Sequence, residues 1–186
     1  MNPVFIVIYT GWFLSEMVFI RLLRVKKTDQ QKADRGSLLL IWVLIIIGNV
    51  SAVFITNYIS APIGPAPAVG YFGLVLIILG VLLRIGAIRS LGKFFTVQVT
   101  IKEDHKLKTD GYYTYVRHPS YTASLLSFIG FGVSLNHWFS VLLAGGLACI
   151  AFAIRIRIEE KVLVANFGTA YEDYKTKTKA LIPFIY

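Results

Sequence analysis

The sequence is poor in cysteine, histidine and charged residues, and each shortage excludes a class of protein. One cysteine among 186 residues excludes an intrachain disulfide, and the three histidines show no spacing typical of a metal site, so no metal is expected. Charged residues make up only 16% of the chain, whereas hydrophobic residues make up 56%. The composition therefore predicts an integral membrane protein rather than a soluble domain.

Long apolar runs are what the sequence has in abundance. A helix needs about 20 mostly apolar residues to cross hydrocarbon. We predict an all-α membrane protein with one domain, residues 1–186, and five spanning helices at about 3–23, 37–59, 69–91, 120–135 and 138–158. The first run lacks the basic start and the small-residue cleavage site of a secretory signal, so it is interpreted as a span.

The basic residues lie at one end of these predicted helices. All 19 Lys and Arg fall in blocks at 21–35, 84–117 and 155–179, and the connections 57–68 and 136–137 have none. Cytoplasmic loops are enriched in Lys and Arg, so we predict an outer N-terminus, an inner C-terminus and a functional site on the cytoplasmic face. Anionic lipid head groups explain the net charge of +9 better than nucleic acid does. The compact design suits a prokaryotic inner membrane.

Small residues recur at helical spacing on the fourth and fifth predicted helices. They are Ser120, Ser124, Ser127, Gly130 and Ser134 on the fourth, and Ala144, Gly145, Ala148 and Ala151 on the fifth. Small residues allow membrane helices to approach closely, so we predict that these two stripes pack together in a tight hairpin.

Other local patterns predict what surrounds the spans. Residues 94–101 alternate apolar and polar side chains, which favours an extended segment, and Asp110–Gly111 indicates a turn. After the fifth span, Phe167, Tyr171 and Tyr174 are expected on one face of a short helix. Gly168 is expected to end the helix that precedes it. The proline-rich and glycine-rich loop 57–68 is expected to be inert.

Two polar clusters carry the expected chemistry. Pro119 is favoured at the first position of a helix, which places His118 at the cap of the fourth helix, where backbone N–H groups attract anions. Arg117 should strengthen this attraction. Arg155 and Glu159 are four residues apart and share a face of the fifth helix, and Glu160 lies about 100° further round. If the two clusters were separate, each would be an ordinary interfacial ion pair or histidine; we expect them to converge on one cavity.

The segments HKLKTDGYYTYVRHPSY and RIRIEEKVLVANFGTAYEDY resemble the isoprenylcysteine carboxyl methyltransferase family, within the wider group of membrane phospholipid and thiol methyltransferases. The motifs RHPxY and EE-x6-FG-x2-Y-x2-Y, in this order on membrane helices, are specific, and the resemblance covers about residues 70–186. It implies a cytoplasmic pocket for S-adenosylmethionine, closed by short C-terminal helices, and a lipophilic or lipid-anchored substrate that enters through the membrane.

The resemblance also assigns residues to the cofactor. These are Gln98, His105, Lys106, Leu107, Lys108, Tyr113, His118, Pro119, Ser120, Tyr121 and Glu159. It makes Arg155 the residue that orients the substrate. A carboxylate acceptor, as in a prenylated cysteine or a prenyl-thiol acid, needs no general base, whereas an amine acceptor needs one, for which Glu160 is the candidate. Two alternatives stay open, an NADPH-dependent membrane enzyme like the sterol reductases and a non-catalytic lipid-binding protein.

Overall fold

The computed structural model describes residues 2–22, 37–92 and 107–182, and all of its regular structure is helical. These residues contain six α-helices: α1 Pro3–Leu22, α2 Ser37–Ile55, α3 Ala68–Leu91, α4 Pro119–Ser134, α5 Trp138–Phe167 and α6 Thr169–Lys177. A 3-10 helix, Gly111–Thr114, precedes α4. The predicted extended segment 94–101 lies outside the described residues.

The predicted helices are present, and the largest difference in length is at the fifth. α5 has 30 residues and continues through the charged stretch to Phe167, well beyond the predicted end at 158. The reason is that Arg155, Arg157 and the two glutamates are good helix formers, so the helix continues beyond its apolar residues. Gly168, with a φ of 55°, ends α5 as predicted, because glycine tolerates left-handed backbone.

Within the described ranges, three helices are long and apolar enough to cross a membrane. Their apolar spans are 38–55, 68–91 and 138–167. The apolar part of α1, Pro3–Phe19, is shorter, and α4 has 16 residues. The chain is therefore a multi-pass membrane protein, and these three helices are its candidate spans among the described residues.

The helices pack in an order that differs from the chain order. α3 lies along α4, α4 along α5, and α5 along α2, while α1 packs on α3. An apolar core cluster fills the centre, where Leu125 and Phe128 of α4 meet Ala148 and Phe152 of α5 and Ile45 of α2. This order places α4 in the middle of the bundle, between α3 and α5.

The stripe of small residues on α4 packs largely on α3, so the predicted pairing with the α5 stripe is wrong for those residues. A Cβ on Gly73 of α3 would lie 2.2 Å from the backbone N of Ser134, and a Cβ on Gly130 would lie 2.8 Å from the backbone N of Ile77. Ser127 Oγ donates to Ile77 O at 3.2 Å. Helical spacing identifies a small face but not its neighbour, and α3 has glycines of its own that allow the closer approach.

Candidate functional site

The cap of α4 forms the centre of the site. His118 is the N-cap residue and Pro119 is the first helical residue, as predicted. The His118 side chain is buried, with 7% exposure, and it makes no cap hydrogen bond of its own. Its imidazole therefore points to other partners, and α5 supplies them.

Glu159 of α5 joins three side chains at one carboxylate. Its Oε2 lies 3.3 Å from Nδ1 of His118. Its Oε1 accepts from the Tyr121 hydroxyl at 2.6 Å and from Nε of Arg155 at 3.3 Å. Arg155 is fully buried. The two polar clusters thus meet as predicted, and Glu159 is the residue that links them. The cavity on which they were expected to converge stays a prediction.

Glu160 turns toward a different set of partners. Its Oε1 accepts from Nε of Arg117 at 2.7 Å and lies 3.6 Å from Nε2 of His118. The Tyr171 hydroxyl approaches the same oxygen at 3.5 Å, and Nζ of Lys175 lies 3.6 Å from Oε2. Glu160 is therefore surrounded by donors from two other parts of the chain, the α4 cap and α6.

The backbone of the cap is bonded to the end of the chain. The amide N–H of Arg117 donates to Lys179 O at 2.8 Å, and that of His118 donates to Ala180 O at 3.1 Å. These two N–H groups are consequently not available to an anion. The guanidinium of Arg117 also pairs with Glu160, so its predicted assistance to an anion is not observed. The attraction of an anion by the first N–H groups of α4 itself stays a prediction.

Aromatic rings pack closely against the polar cluster. Tyr121 stacks on His118 with the ring centroids 5.8 Å apart and on Phe152 at 5.1 Å. Tyr113 is buried, and its backbone O accepts from the Tyr174 hydroxyl of α6. The predicted face of the short helix is confirmed for Tyr171 and Tyr174, which α6 buries, whereas Phe167 is the last residue of α5.

Burial and charge shift the pKa values around the cap. Burial opposes protonation of His118, but the carboxylates of Glu159 and Glu160 outweigh it and raise the pKa of the imidazole above its usual range. Burial raises the pKa of Tyr113 and that of Tyr171, and it raises the pKa of Tyr174 to about 12. The tyrosines are thus neutral hydrogen-bond donors. Beside them, the carboxylates of Glu159 and Glu160 favour the protonated form of His118.

The remaining predicted cofactor residues fall into two groups. Pro119 and Ser120 are buried at the start of α4, beside His118. Leu107 is half-buried, and the ammonium of Lys108 pairs with the exposed Asp110 at 2.7 Å. Gln98, His105 and Lys106 lie outside the described residues.

Two further polar features went unassigned in the sequence. Glu16 of α1 pairs with Arg84 of α3, whose guanidinium also lies 4.9 Å from the centroid of the Phe19 ring. Asn49 donates within α2 to Ile45 O at 2.9 Å. The first pairing could have been predicted from the sequence, because opposite charges in two apolar helices usually pair with one another.

Known proteins are similar to this chain in both sequence and fold. Residues 69–170 match the phospholipid methyltransferase family. The chain is 38% identical over 116 residues to protein-S-isoprenylcysteine O-methyltransferase B of Arabidopsis thaliana, covering 61% of this chain and 59% of that protein. It is 40% identical over 109 residues to protein-S-isoprenylcysteine O-methyltransferase of Schizosaccharomyces pombe, covering 58% of this chain and 46% of that protein.

A solved structure extends the similarity to nearly the whole chain. The eukaryotic intramembrane Ras methyltransferase, an isoprenylcysteine carboxyl methyltransferase, aligns with a TM-score of 0.62 and 28% identity over 96% of this chain and 67% of that one. The chain thus spans about half to two thirds of the length of these relatives. The matched segment contains the α4 cap, both glutamates of α5 and Arg155, and it is more than half of the sequence: the chain belongs to the phospholipid methyltransferase family.

Proposed function

We propose that this protein is an integral membrane methyltransferase that uses S-adenosylmethionine and acts on a lipophilic acceptor, most specifically the carboxylate of a prenylated cysteine or of a prenyl-thiol acid. The observation that carries the proposal is the Glu159 cluster, in which one carboxylate joins His118, Tyr121 and the fully buried Arg155. The named relatives, which are isoprenylcysteine methyltransferases, support the choice of acceptor.

The donors around the α4 cap fit this cofactor. Nε2 of His118 is buried and has no hydrogen-bond partner within the described part of the chain, so it can serve the carboxylate of an amino acid moiety. Glu159 can accept from the amino group or from ribose hydroxyls. We assign the cofactor to the following residues: Leu107, Lys108, Tyr113, His118, Pro119, Ser120, Tyr121 and Glu159, with Gln98, His105 and Lys106 as expected contacts from the undescribed segment.

When bound, the cofactor supplies a methyl group on a sulfonium centre, and the aromatic rings of Tyr113 and Tyr121 can stabilise that charge by cation–π contact. The contribution of the protein is then proximity and orientation. Arg155 holds the carboxylate of the acceptor. Its buried position excludes water from that carboxylate and so keeps the nucleophile desolvated and correctly aimed. Glu159 fixes Nε of Arg155 and thereby the direction of the guanidinium.

The proposal includes a topology. We infer one domain with five spans, α1 to α5, in which the α4 cap and α6 face the cytoplasm. The one-sided distribution of the 19 basic residues supports this orientation. A Cys149→Ala background with single cysteines at Gly64 and at Lys177 tests it, since Gly64 should be labelled from outside and Lys177 only after permeabilisation. Labelling of both from the same side contradicts the topology.

The relatives named above are eukaryotic, so the prokaryotic inner membrane stays a prediction from the sequence alone.

A substrate panel tests the activity directly. Purified protein is incubated with labelled S-adenosylmethionine and with farnesylated acids, amines and thiols of matched chain length. We expect label in the farnesylated acid, and loss of labelling when its carboxylate is converted to an amide. Calorimetry that detects NADPH binding and no S-adenosylhomocysteine binding would instead favour the reductase alternative, and cofactor binding without transfer to any acceptor would favour a lipid-binding protein.

A further inference from the structure

The last described residues of the chain, 178–182, form a segment that lies along the α4 cap, and we call it the strap. Residues Val116 and Lys179 pair as a parallel bridge. The amides of Arg117 and His118 donate to strap carbonyls at 2.8 and 3.1 Å, and the Thr122 hydroxyl donates to Leu181 O at 2.5 Å. The strap therefore holds the backbone of the residue whose imidazole enters the site.

The strap is also anchored by apolar burial. Ala180 and Leu181 are 5% and 0% exposed, and both belong to the core cluster that contains Leu125 of α4 and Ile156 of α5. Release of the strap would therefore expose apolar surface and at the same time leave the cap amides without their acceptors. Both effects favour a strap that stays on the α4 cap. Neither of them determines the position of the junction between the end of α6 and the strap.

Arg117 fixes that junction. Its Nη1 donates to Lys175 O at 3.3 Å, near the end of α6, and to Thr178 O at the start of the strap. Its Nε donates to Glu160 Oε1 at 2.7 Å. One planar guanidinium thus spans α5, α6 and the strap, a geometry that arginine allows and lysine does not.

Glu160 sets the direction of this guanidinium. The side chains of Arg117 and Glu160 are only 9% and 14% exposed, so the pair is shielded from water. The nearby ammonium of Lys175 and the imidazole of His118 add to the positive charge around Glu160. An oxygen engaged by this many donors is a poor acceptor for a proton from a substrate, which argues against Glu160 as the general base.

We propose that Arg117 and Glu160 are positioning residues that form a latch, which keeps the strap on the α4 cap. By holding the cap backbone, the latch keeps the His118 imidazole in contact with Glu159. The latch touches neither substrate nor cofactor in this assignment. Its effect on cofactor affinity rests on the proposed function, whereas its effect on the strap does not. Glu160→Gln should therefore loosen the strap and weaken cofactor binding, while the transfer step itself changes little.

Hydrogen exchange followed by mass spectrometry tests the strap directly, in detergent and without ligand. Glu160→Gln should speed exchange of the Arg117 and His118 amides by about ten-fold, the factor expected for the loss of one charged hydrogen bond. Glu172→Gln, on the exposed face of α6, is the matched control and should leave these amides unchanged. Unchanged exchange of both amides in a folded Glu160→Gln protein would overturn the latch.

Two more variants keep the test informative if Glu160→Gln does not fold. Thr122→Val removes the donor to Leu181 O without any change of charge, and it should speed exchange at the same amides. Arg117→Lys keeps a cation beside Glu160 but loses the second and third contacts, so its exchange should lie between that of the wild type and that of Arg117→Gln. Wild-type exchange in Arg117→Lys would contradict the fork geometry, because lysine cannot make the second and third contacts.

Kinetics with N-acetyl-S-farnesylcysteine separate a latch from a base. A latch predicts that Glu160→Gln raises the KM for S-adenosylmethionine by about ten-fold and keeps kcat within about three-fold, with a parallel loss of S-adenosylhomocysteine affinity. A large fall in kcat at unchanged KM and unchanged amide exchange would overturn the proposal and restore Glu160 as a base. If wild-type protein binds no S-adenosylhomocysteine, the proposed function fails, and the exchange experiment still decides whether the latch exists.

Discussion

The two ends of the α4–α5 hairpin solve the same structural problem with different chemistry. At the turn between the helices, the Asn136 side chain accepts from the amides of Ile63 and Gly64 at 3.2 Å and donates to Gly64 O at 3.0 Å. His137 contacts Ile59 O at 2.8 Å and accepts from the Ser140 amide. The loop 57–68, expected to be inert, is therefore bonded to the hairpin turn.

At the opposite end, charged groups do this work. Glu159 and Glu160 bind His118, Arg155 and Arg117 there. At the turn, by contrast, neutral side chains bond to backbone groups. A neutral side chain that bonds to backbone gives each group its partner and leaves no net charge to attract a ligand. Clustered charges cost desolvation energy and remain responsive to a polar ligand. Under the proposed function, the neutral end serves stability and the charged end serves chemistry.

Arg155→Ala tests the chemical end most strongly. We expect transfer to N-acetyl-S-farnesylcysteine to slow by about 100-fold, since a hydrogen bond to a charged group contributes about 1.5–3 kcal/mol. The affinity for S-adenosylhomocysteine, measured by calorimetry, should stay within about three-fold. Arg157→Ala, at an exposed position of the same helix, is the matched control. Loss of cofactor affinity with preserved transfer would reverse the roles of Arg155 and Glu159, and a thermal melt checks that the variant is folded.

Glu159→Ala should have the next largest effect, and it should act on the cofactor. We expect S-adenosylhomocysteine binding to weaken by about 1.5–3 kcal/mol. Turnover should fall as well, because Glu159 also orients Arg155. Glu172→Ala, exposed on α6, should change neither quantity. Wild-type affinity in the Glu159 variant would show that the carboxylate serves only to hold its neighbours.

A pH series on His118 distinguishes charge from shape at the cap. The pKa of His118 is raised in the folded protein, so the stability that its charge contributes is complete below the ordinary histidine value of about 6.5 and is lost as the pH rises through the higher folded-state pKa. The melting temperature of ligand-free wild type should therefore exceed that of His118→Gln most at low pH, with the difference shrinking toward pH 9. A difference that grows with pH would contradict the assignment.

Asn136 should matter for stability alone. Asn136→Gly removes the side-chain bonds but keeps the left-handed backbone, where φ is 51°, and should lower the free energy of unfolding by about 1–3 kcal/mol. Asn136→Ala should lower it further, because alanine disfavours that conformation. Neither variant should change S-adenosylhomocysteine affinity. A clear change in affinity would show that the two ends are coupled and would weaken the contrast between them.

The sequence alone predicted the apolar helices and the meeting of His118 with Glu159, because hydrophobic run length and basic flanks constrain which segments share an end of the bundle. It did not predict that α4 would present Gly130 and Ser134 to α3, since periodicity defines a face and not its neighbour. The direction of Arg117 was also beyond it. That direction depends on the strap, a segment without helical or strand periodicity. A strap carbonyl accepts from the guanidinium that the motif alone assigns to an anion.

Glu16 and Arg84 tie the first apolar helix to the third, and this bears on how the chain enters a membrane. Each charge alone would cost about 2.5–3.5 kcal/mol in the middle of a helix surrounded by lipid. As a pair, with Arg84 also over Phe19, they offset part of that cost. In the proposed five-span topology, α1 emerges during biosynthesis before its partner exists. Its stable insertion should then wait for α3, and a ribosome-bound chain that stops before residue 84 should hold α1 less firmly in the bilayer.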